Sequence, residues 1–172
     1  MTDDDVIRIP LRARDGSVRA WAIVDREDAD LAELRWHALT SSTSDHVYAC
    51  KYPGVLMHRI ILLRILGGDV LHRSVLTDHK NGNGLDNRRA NLRPATRSQN
   101  GANRGPTPNT SSVYLGVCRH KGGGWQASAT HNGATRYIGY FASETEAAIA
   151  YNKFAAENHG EYARLNVVEG DA

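Results

Sequence analysis

A loop dense in asparagine and glycine, residues 80–91, constrains the fold of this chain more than any other segment. A short apolar stretch, 74–78, leads into the pair Asp78-His79 just before the loop. Asparagine and glycine favour tight turns, so the loop cannot continue a strand or a helix. Neighbouring residues of a flat strand point to opposite faces. We therefore expect the strand to end or bend at Asp78-His79, which lets both side chains face one site.

Positive charge is concentrated in the part of the chain that contains this loop. Residues 51–110 hold 10 basic and 3 acidic residues, whereas 1–50 hold 6 and 10 and 111–172 hold 5 and 6. A basic stretch of this kind is the electrostatic footprint of a protein that binds a polyanion. No apolar run approaches the roughly 20 residues of a membrane span, and the acidic N-terminus lacks the pattern of a signal peptide.

Residues around the loop show the patterns of short strands and helices. Alternating apolar residues over 6–25, interrupted by Asp15-Gly16, predict a β-hairpin. Further strands are predicted at 36–39 and 47–52, and helices at 29–34, 57–66 and 97–104. Thr96 and Gln99 have the spacing of a capping box at the start of the last helix.

The sequence also suggests where two tryptophans and one histidine of the first 66 residues pack. Trp21 and Trp36, at strand-like spacing, are predicted to lie in the core. His58, in the helix predicted at 57–66, is compatible with a packed histidine and with a residue that approaches Asp78-His79 from the preceding element.

The chemistry of the motif follows from its side-chain types. Asp78 and Asn100 offer the oxygen donors that Mg²⁺ and Mn²⁺ prefer. His79 titrates near neutrality and can accept a proton from an attacking water. The helix that follows the loop is expected to return Asn100 to the Asp78-His79 corner. Asn87 and Asn91 are expected to brace the loop, because carboxamides bridge backbone groups.

Residues 57–103 resemble the HNH (His-Asn-His) endonuclease family of the phage and homing type, which has a ββα-metal site. Four features occur in the family's order: Asp78-His79, the Asn/Gly loop, the Asn-Leu-Arg triplet that begins at Asn91, and Asn100. Asn91 lies 12 residues after His79, and Asn100 lies 21 residues after it. The resemblance implies that Asp78 and Asn100 bind one Mg²⁺ or Mn²⁺ ion, that His79 is the general base, and that Asn91 is structural.

The reaction that this resemblance implies is hydrolysis of a DNA phosphodiester. His79 activates water for in-line attack, and the metal stabilises charge on the phosphate and on the leaving 3′ oxygen. The basic side chains expected to hold flanking phosphates are Arg88, Arg89, Arg93 and Arg97.

A second small domain is predicted after a linker at 105–111, a stretch of Gly, Pro, Thr, Asn and Ser. Three alternating runs predict the strands of an antiparallel sheet, at 113–118, 125–131 and 135–141. Ser143 and Glu146 form a second capping-box pattern before a helix with one apolar face. Gly160 follows that helix, where a left-handed stop is expected.

Residues 112–166 resemble the plant ethylene-response-factor (APETALA-type) DNA-binding domain. The matching residues are Tyr114, Gly116, Val117, Trp125, Ala127, Tyr137, Ile138, Gly139, Phe141, Glu146, Ala147, Ala148, Ala150, Tyr151, Ala163, Leu165 and Asn166. In that family the sheet enters the major groove of DNA while the helix packs behind it. The resemblance implies DNA binding by the sheet, and the residues expected to contribute are Arg119, Lys121, Trp125 and Arg136.

The expected fold is therefore α+β: a β-rich N-terminal region leads into a ββα-metal core within 1–104, the core covering about 57–104. A domain at 112–166 follows, with a three-stranded antiparallel sheet packed on one helix. The expected function is a metal-dependent endonuclease of a phage or mobile element that nicks or cuts double-stranded DNA in the cytoplasm. The alternative is a sequence-specific DNA-binding regulator with an inactive nuclease core. A structural interaction protein would leave the Asp78, His79 and Asn100 set unexplained.

Overall fold

The structure, a computed structural model, combines helices with small antiparallel sheets, in agreement with the α+β class. It describes residues 6–41, 44–106 and 110–168. Contacts divide the chain into two compact units, Met1–Ala95 and Thr96–Ala172. The division falls before the linker predicted at 105–111, of which 107–109 lie outside the described residues. Within the described ranges, no helix combines the length and apolar character needed to cross a membrane.

The first unit is built from three small sheets, one α-helix and short 3-10 segments among its described residues. Its elements are β1 (Val6–Arg12), β2 (Val18–Asp25), a 3-10 helix (Arg26–Glu33), β3 (His37–Ser41), β4 (Ser44–Lys51), β5 (Val55–Leu56), α1 (Met57–Leu66), β6 (Leu76–His79), a 3-10 turn (Arg89–Asn91) and β7 (Leu92–Ala95). The strands β1 and β2 pair, β3, β4 and β5 form one sheet in that order, and β6 pairs with β7. All of these pairings are antiparallel.

The hairpin predicted over 6–25 is confirmed. Asp15 closes its turn, because its Oδ1 accepts hydrogen bonds from the backbone N–H and the hydroxyl of Ser17 over 2.9 and 2.6 Å. Gly16 has a φ of 86°, a conformation that other residues adopt only with strain.

Side chains from most elements of this unit form one apolar core. Its buried members are Ile9, Leu11, Ala22, Val24, Leu31, Trp36, Ala49, Met57, Ile61 and Leu92. Trp36 lies in this core as predicted, and its indole N–H donates to the Leu31 carbonyl over 2.7 Å. The prediction for Trp21 is wrong, since the side chain is 52% exposed. Ala22 and Val24 face the core, so alternation along β2 directs Trp21 to the other face.

The helix α1 has the bounds that the sequence predicts, and Gly67 ends it in the left-handed conformation. The strand predicted at 74–78 is observed as β6, and it pairs with a partner, β7, that the sequence analysis missed. β7 has four residues and includes Pro94, which cannot donate a ladder hydrogen bond and is uncommon inside strands. The pairing makes residues 80–91 the loop of a long hairpin.

The second unit contains a three-stranded antiparallel sheet and the helix predicted to pack on it. Its elements are α2 (Arg97–Ala102), β8 (Val117–Arg119), β9 (Trp125–His131), β10 (Ala134–Phe141), α3 (Glu144–His159) and a 3-10 turn (Gly160–Tyr162). The sheet order is β10-β9-β8. Both predicted capping boxes are present, at Thr96 with Gln99 and at Ser143 with Glu146.

Small side chains bring the helix α3 close to the sheet. Ala147 and Ala148 of α3 pack on Val117 and Ala127, all of them buried. The prediction of a left-handed stop at Gly160 is wrong in detail, because this residue has a φ of 53° and a ψ of −131°. Such a combination lies outside the left-handed helical region and is essentially open to glycine alone.

Gly116 provides a test of this packing. Its φ is 73°, and an added Cβ would collide with the ring of Tyr151 and the carbonyl oxygen of Ser128. Gly116→Ala is therefore expected to lower the melting temperature of the second unit much more than Gly133→Ala does. Gly133→Ala is the matched control. Gly133 has a φ of 77° but nothing within 4 Å of an added Cβ, so it carries only the backbone strain of about 1–2 kcal/mol. Equal losses in thermal denaturation of the full chain would contradict the steric argument.

Candidate active site

β6 ends at the pair Asp78-His79, and the chain turns away directly after it. The N–H of Gly82 donates to the His79 carbonyl over 2.8 Å, and the N–H of Lys80 donates to the Asn91 carbonyl over 2.9 Å. Both side chains of the pair are buried, with 3% of Asp78 and 6% of His79 exposed. The turn thus occurs where the sequence predicts it, with the two polar side chains enclosed at its base.

Arg93 lies directly opposite Asp78 in the pairing of β6 with β7 and binds its carboxylate. Nε of Arg93 donates to Oδ2 of Asp78 over 2.7 Å, and both side chains are at most 10% exposed. Removing one partner of a buried pair leaves an uncompensated charge and costs about 3–5 kcal/mol. Arg93 was expected to contact a DNA phosphate. Its guanidinium instead binds the Asp78 carboxylate inside the protein and orients it.

Aromatic rings from two other elements surround His79. Tyr48 comes from β4, and His58 comes from the first turn of α1. The ring centroids of His58 and His79 lie 5.1 Å apart, and Tyr48 lies 5.3 Å from His58 and 5.9 Å from His79. We call Tyr48, His58 and His79 the ring cluster. Sequence reasoning missed Tyr48, because it lies far from the motif in a strand and only tertiary packing brings it there.

Burial controls the protonation of the ring cluster. It lowers the pKa of His79, against the opposing effects of the Asn87 side chain and of nearby carboxylates. Burial and neighbouring basic side chains lower the pKa of His58 to about 3. Burial and the negative charge of Asp78 raise the pKa of Tyr48. Both imidazoles are therefore neutral near pH 7, the state in which His79 can accept a proton.

The carboxamide of Asn91 bridges the two sides of the loop. Its Nδ2 donates to the Asp86 carbonyl over 2.7 Å and to Oδ1 of Asn81 over 3.1 Å, and its Oδ1 accepts from the Asn81 N–H over 3.0 Å. Asn87 is fully buried and donates to the Leu85 carbonyl over 3.1 Å. Both carboxamides therefore bond to other groups of the loop, as the sequence predicts for Asn87 and Asn91.

The strand β2 and the Tyr48 ring hold the loop from outside. The Ile23 N–H donates to the Leu85 carbonyl, and the Asn87 N–H donates to the Ile23 carbonyl, both over 2.8 Å. A Cβ on Gly84 would meet the Tyr48 ring at 2.7 Å, so glycine permits the close approach of the loop to the ring cluster. The conformation of the loop is therefore fixed by hydrogen bonds from its own carboxamides and by contacts with β2 and β4.

Arg88 and Arg89 are held by carboxylates of the first unit. Arg88 donates through Nε and Nη2 to the two oxygens of Asp86 over 2.8 and 2.6 Å. Arg89 binds both oxygens of the buried Asp28, which also binds Arg64 of α1. The side chains of Arg88 and Arg89 are 39% and 28% exposed, and their contact with phosphate stays a prediction.

Arg97 and Asn100 lie in α2 of the second unit, and both are exposed. Asn100 occupies the first turn of that helix, as the capping-box pattern predicts. Its role as a metal ligand, like the phosphate contact of Arg97, stays a prediction.

The donors at Asp78 fit a hard divalent ion that takes most of its ligands from water and phosphate. Among the described residues, no group of three or more His, Cys, Asp and Glu side chains is arranged to hold a metal. A carboxylate has about four acceptor positions, so it can in general accept a hydrogen bond from an arginine and coordinate an ion at the same time. One or two protein oxygens are typical of Mg²⁺, whereas zinc sites take three or four protein ligands.

The register of the second sheet places three of its four predicted DNA contacts on the side that carries α3. Arg119 pairs with Trp125, and Arg136 pairs with Ala129. Directly paired residues share a face, and Ala129 is buried against Tyr151 of α3. Arg119, Trp125 and Arg136 therefore lie on the side that carries the helix, with the two arginines exposed at strand ends, and Lys121 lies in the turn after β8.

The opposite face of this sheet carries side chains that sequence reasoning did not assign to DNA. Tyr137 and Tyr140 are 64% and 52% exposed there, beside Gln126 and Ser128. A β-bulge between Tyr137 and Gly139 shifts the register and brings both tyrosines to the same face. Alternation alone would have separated them, so the sequence carried no usable signal.

Comparisons with known proteins give one similarity. The chain is 29% identical over 166 residues to a protein of Acanthamoeba polyphaga mimivirus named as an uncharacterized HNH endonuclease. The match covers 96% of this chain and 84% of the mimivirus protein. No family model matches the chain, and no solved structure matches it. The similarity supports the HNH part of the resemblance, and it extends over both units.

The Asp78–Arg93 pair can be tested by its effect on folding. Arg93→Met is expected to destabilise the first unit by about 3–5 kcal/mol, because it leaves the buried Asp78 carboxylate without its cation. Asp78→Asn in the same chain should recover part of this loss, since the neutral carboxamide does not need a cation. The free energy of unfolding in urea measures both effects. Arg97→Met, at an exposed position of α2, is the control. If both substitutions change the free energy of unfolding by an equally small amount, the ion pair does not stabilise the first unit.

Proposed function

We propose that this chain is a metal-dependent endonuclease that hydrolyses phosphodiester bonds of double-stranded DNA. One observation carries the proposal: the pair Asp78-His79 is buried at a strand end, under a loop braced by Asn91. The similarity over 96% of the chain to a protein named as an HNH endonuclease supports the nuclease part of this proposal. The order of Asp78-His79, Asn91 and Asn100 along the chain is that of the family which the sequence resembles.

His79 is the general base in this proposal. Its neutral imidazole takes a proton from a water molecule, whose oxygen then forms a bond to phosphorus while the bond from phosphorus to the 3′ oxygen breaks. The 3′ oxygen leaves with a proton from solvent, and the products are a 3′ hydroxyl and a 5′ phosphate. His58 and Tyr48 pack against the His79 ring and limit its rotation.

Asp78 and Asn100 are the protein ligands of one Mg²⁺ or Mn²⁺ ion in this proposal. Arg93 orients the Asp78 carboxylate through its bond to Oδ2. When bound, the ion would stabilise the negative charge that develops on the phosphate and on the leaving oxygen. Arg88, Arg89 and Arg97 are the cations proposed to hold flanking phosphates, with Arg93 acting through Asp78.

The second unit is proposed to bind DNA in the manner of the ethylene-response-factor domain that its sequence resembles. Its observed sheet and helix have the arrangement expected for that domain. Arg119, Lys121 and Arg136 are exposed and are the residues proposed to reach DNA phosphates from the rim of the sheet, whereas Trp125, also expected at DNA, packs on the helix side beside Arg119. Tethering this unit to the nuclease raises the local concentration of DNA at the active site. The second candidate is a regulator that binds DNA without cutting it. It would bind DNA through the same second unit.

The proposed setting is the cytoplasm of a bacterial or phage-infected cell, with the protein encoded by a phage or another mobile element. A single catalytic site in a monomer would nick one strand, whereas a dimer would cut both.

Supercoiled plasmid distinguishes the two candidates. The wild-type protein is expected to convert it to nicked or linear DNA with Mg²⁺ or Mn²⁺ and not with a chelator. His79→Ala should reduce cutting by at least about 100-fold, in the range that general acid–base catalysis contributes, while DNA binding persists. His72→Ala, an exposed histidine of the same unit, is the control and should cut normally. Metal-independent cutting, or undiminished cutting by His79→Ala, would contradict the mechanism, and binding without cutting would favour the regulator.

The salt dependence of DNA binding tests the second unit. With a chelator present to prevent cutting, Arg136→Ala is expected to weaken binding and to reduce the slope of log K against log salt by about 1. Lys153→Ala, an exposed cation of α3, should leave the slope unchanged. A loss of affinity confined to Tyr137→Ala and Tyr140→Ala would instead place DNA on the opposite face of the sheet.

A further inference from the structure

His58 is buried beside the proposed general base, and the reaction described above gives its nitrogens no role. It lies in the first turn of α1 with 7% of its surface exposed. Its ring meets the His79 ring at an interplanar angle of 86° and the Tyr48 ring at 75°. Edge-to-face contacts of this kind hold a neighbouring ring in one orientation.

The nitrogen Nδ1 of His58 is enclosed by protein and has no hydrogen-bond partner within the described residues. An unpaired buried polar atom costs about 1–3 kcal/mol. A phenylalanine would fill similar space next to the buried Met57 and Ile61 without this cost. Folding therefore does not account for histidine at this position, and unpaired polar atoms in a native interior call for another explanation.

Among the described residues, two further side chains near His79 have a buried polar atom without a hydrogen-bond partner. Thr77 Oγ1 is buried and has no hydrogen-bond partner in the described part of the chain, and Thr77 lies two residues before His79 on the same face of β6. Asn87 Oδ1 is close enough to His79 to raise its pKa but makes no hydrogen bond of good geometry. A buried polar atom without a protein partner commonly binds an enclosed water molecule.

We propose that His58 is a positioning residue of the nuclease site, whose Nδ1 binds an enclosed water molecule that, together with the ring contacts, holds His79 in its working orientation. This inference rests on the proposed nuclease function. A water molecule is the appropriate ligand, because Nδ1 is closed to larger groups. The low pKa of His58 agrees with this role, since a neutral imidazole can exchange hydrogen bonds with water but adds no charge beside the base.

Two substitutions separate the nitrogen from the ring. His58→Phe keeps an aromatic ring and removes the nitrogens, whereas His58→Asn keeps a polar group near the position of Nδ1. We expect His58→Phe to melt at or above the wild-type temperature and to bind DNA normally in chelator. We expect its kcat for plasmid nicking to fall about 10- to 100-fold with little change in KM, as for other residues that support a catalytic group. His58→Asn should recover most of the lost kcat.

His72→Phe is the matched control, since it makes the same change at an exposed position of the same unit and should nick at the wild-type rate. Wild-type kcat in His58→Phe would overturn the inference. So would a lower melting temperature in His58→Phe together with no recovery in His58→Asn, which is the result of a purely structural histidine. Failure of the unmodified protein to nick DNA overturns the proposed function itself, and this outcome is visible without any variant.

Discussion

The buried ion pair between Asp78 and Arg93 is the interaction on which the rest of the first unit's site depends. It joins β6 to β7 at the point where the two strands enclose the loop. Because both charges are buried, each offsets part of the desolvation cost of the other. The pair joins β6 to β7 in the observed register, one residue before His79. A carboxylate that stabilises the fold and also faces the proposed reaction couples stability to function at one residue.

Carboxamides and glycine give the loop its shape beside the site. Asn91 and Asn81 satisfy backbone groups that a loop of this length would otherwise leave open to water. Gly84 allows the loop to approach Tyr48, so the ring cluster and the loop confine His79 between them. The ring cluster and the loop surround His79 with protein, where electrostatic interactions are stronger than in water. The residues are thus consistent with one another as a hydrolytic site.

Much of the fold follows from local signals in the sequence. The hairpin over 6–25, the bounds of α1 and both capping boxes follow from turn residues, apolar periodicity and hydrogen bonds made within a few residues. These local signals did not predict the strand β7, the exposure of Trp21 or the conformation of Gly160. Each depends on what lies across from the residue, and a single sequence does not contain that information. The bulge that aligns Tyr137 with Tyr140 belongs to the same group.

By itself, the sequence determined that Asp78 and His79 stand at a strand end before a braced loop, because their neighbours in the chain impose the turn. It also determined the chemistry available there, since residue types set donors and acceptors. Only the tertiary structure decided that Arg93 binds Asp78, that Arg89 binds Asp28, and that Tyr48 and His58 enclose His79. These contacts join residues far apart in the chain, and packing of one core chooses among the many partners that composition allows.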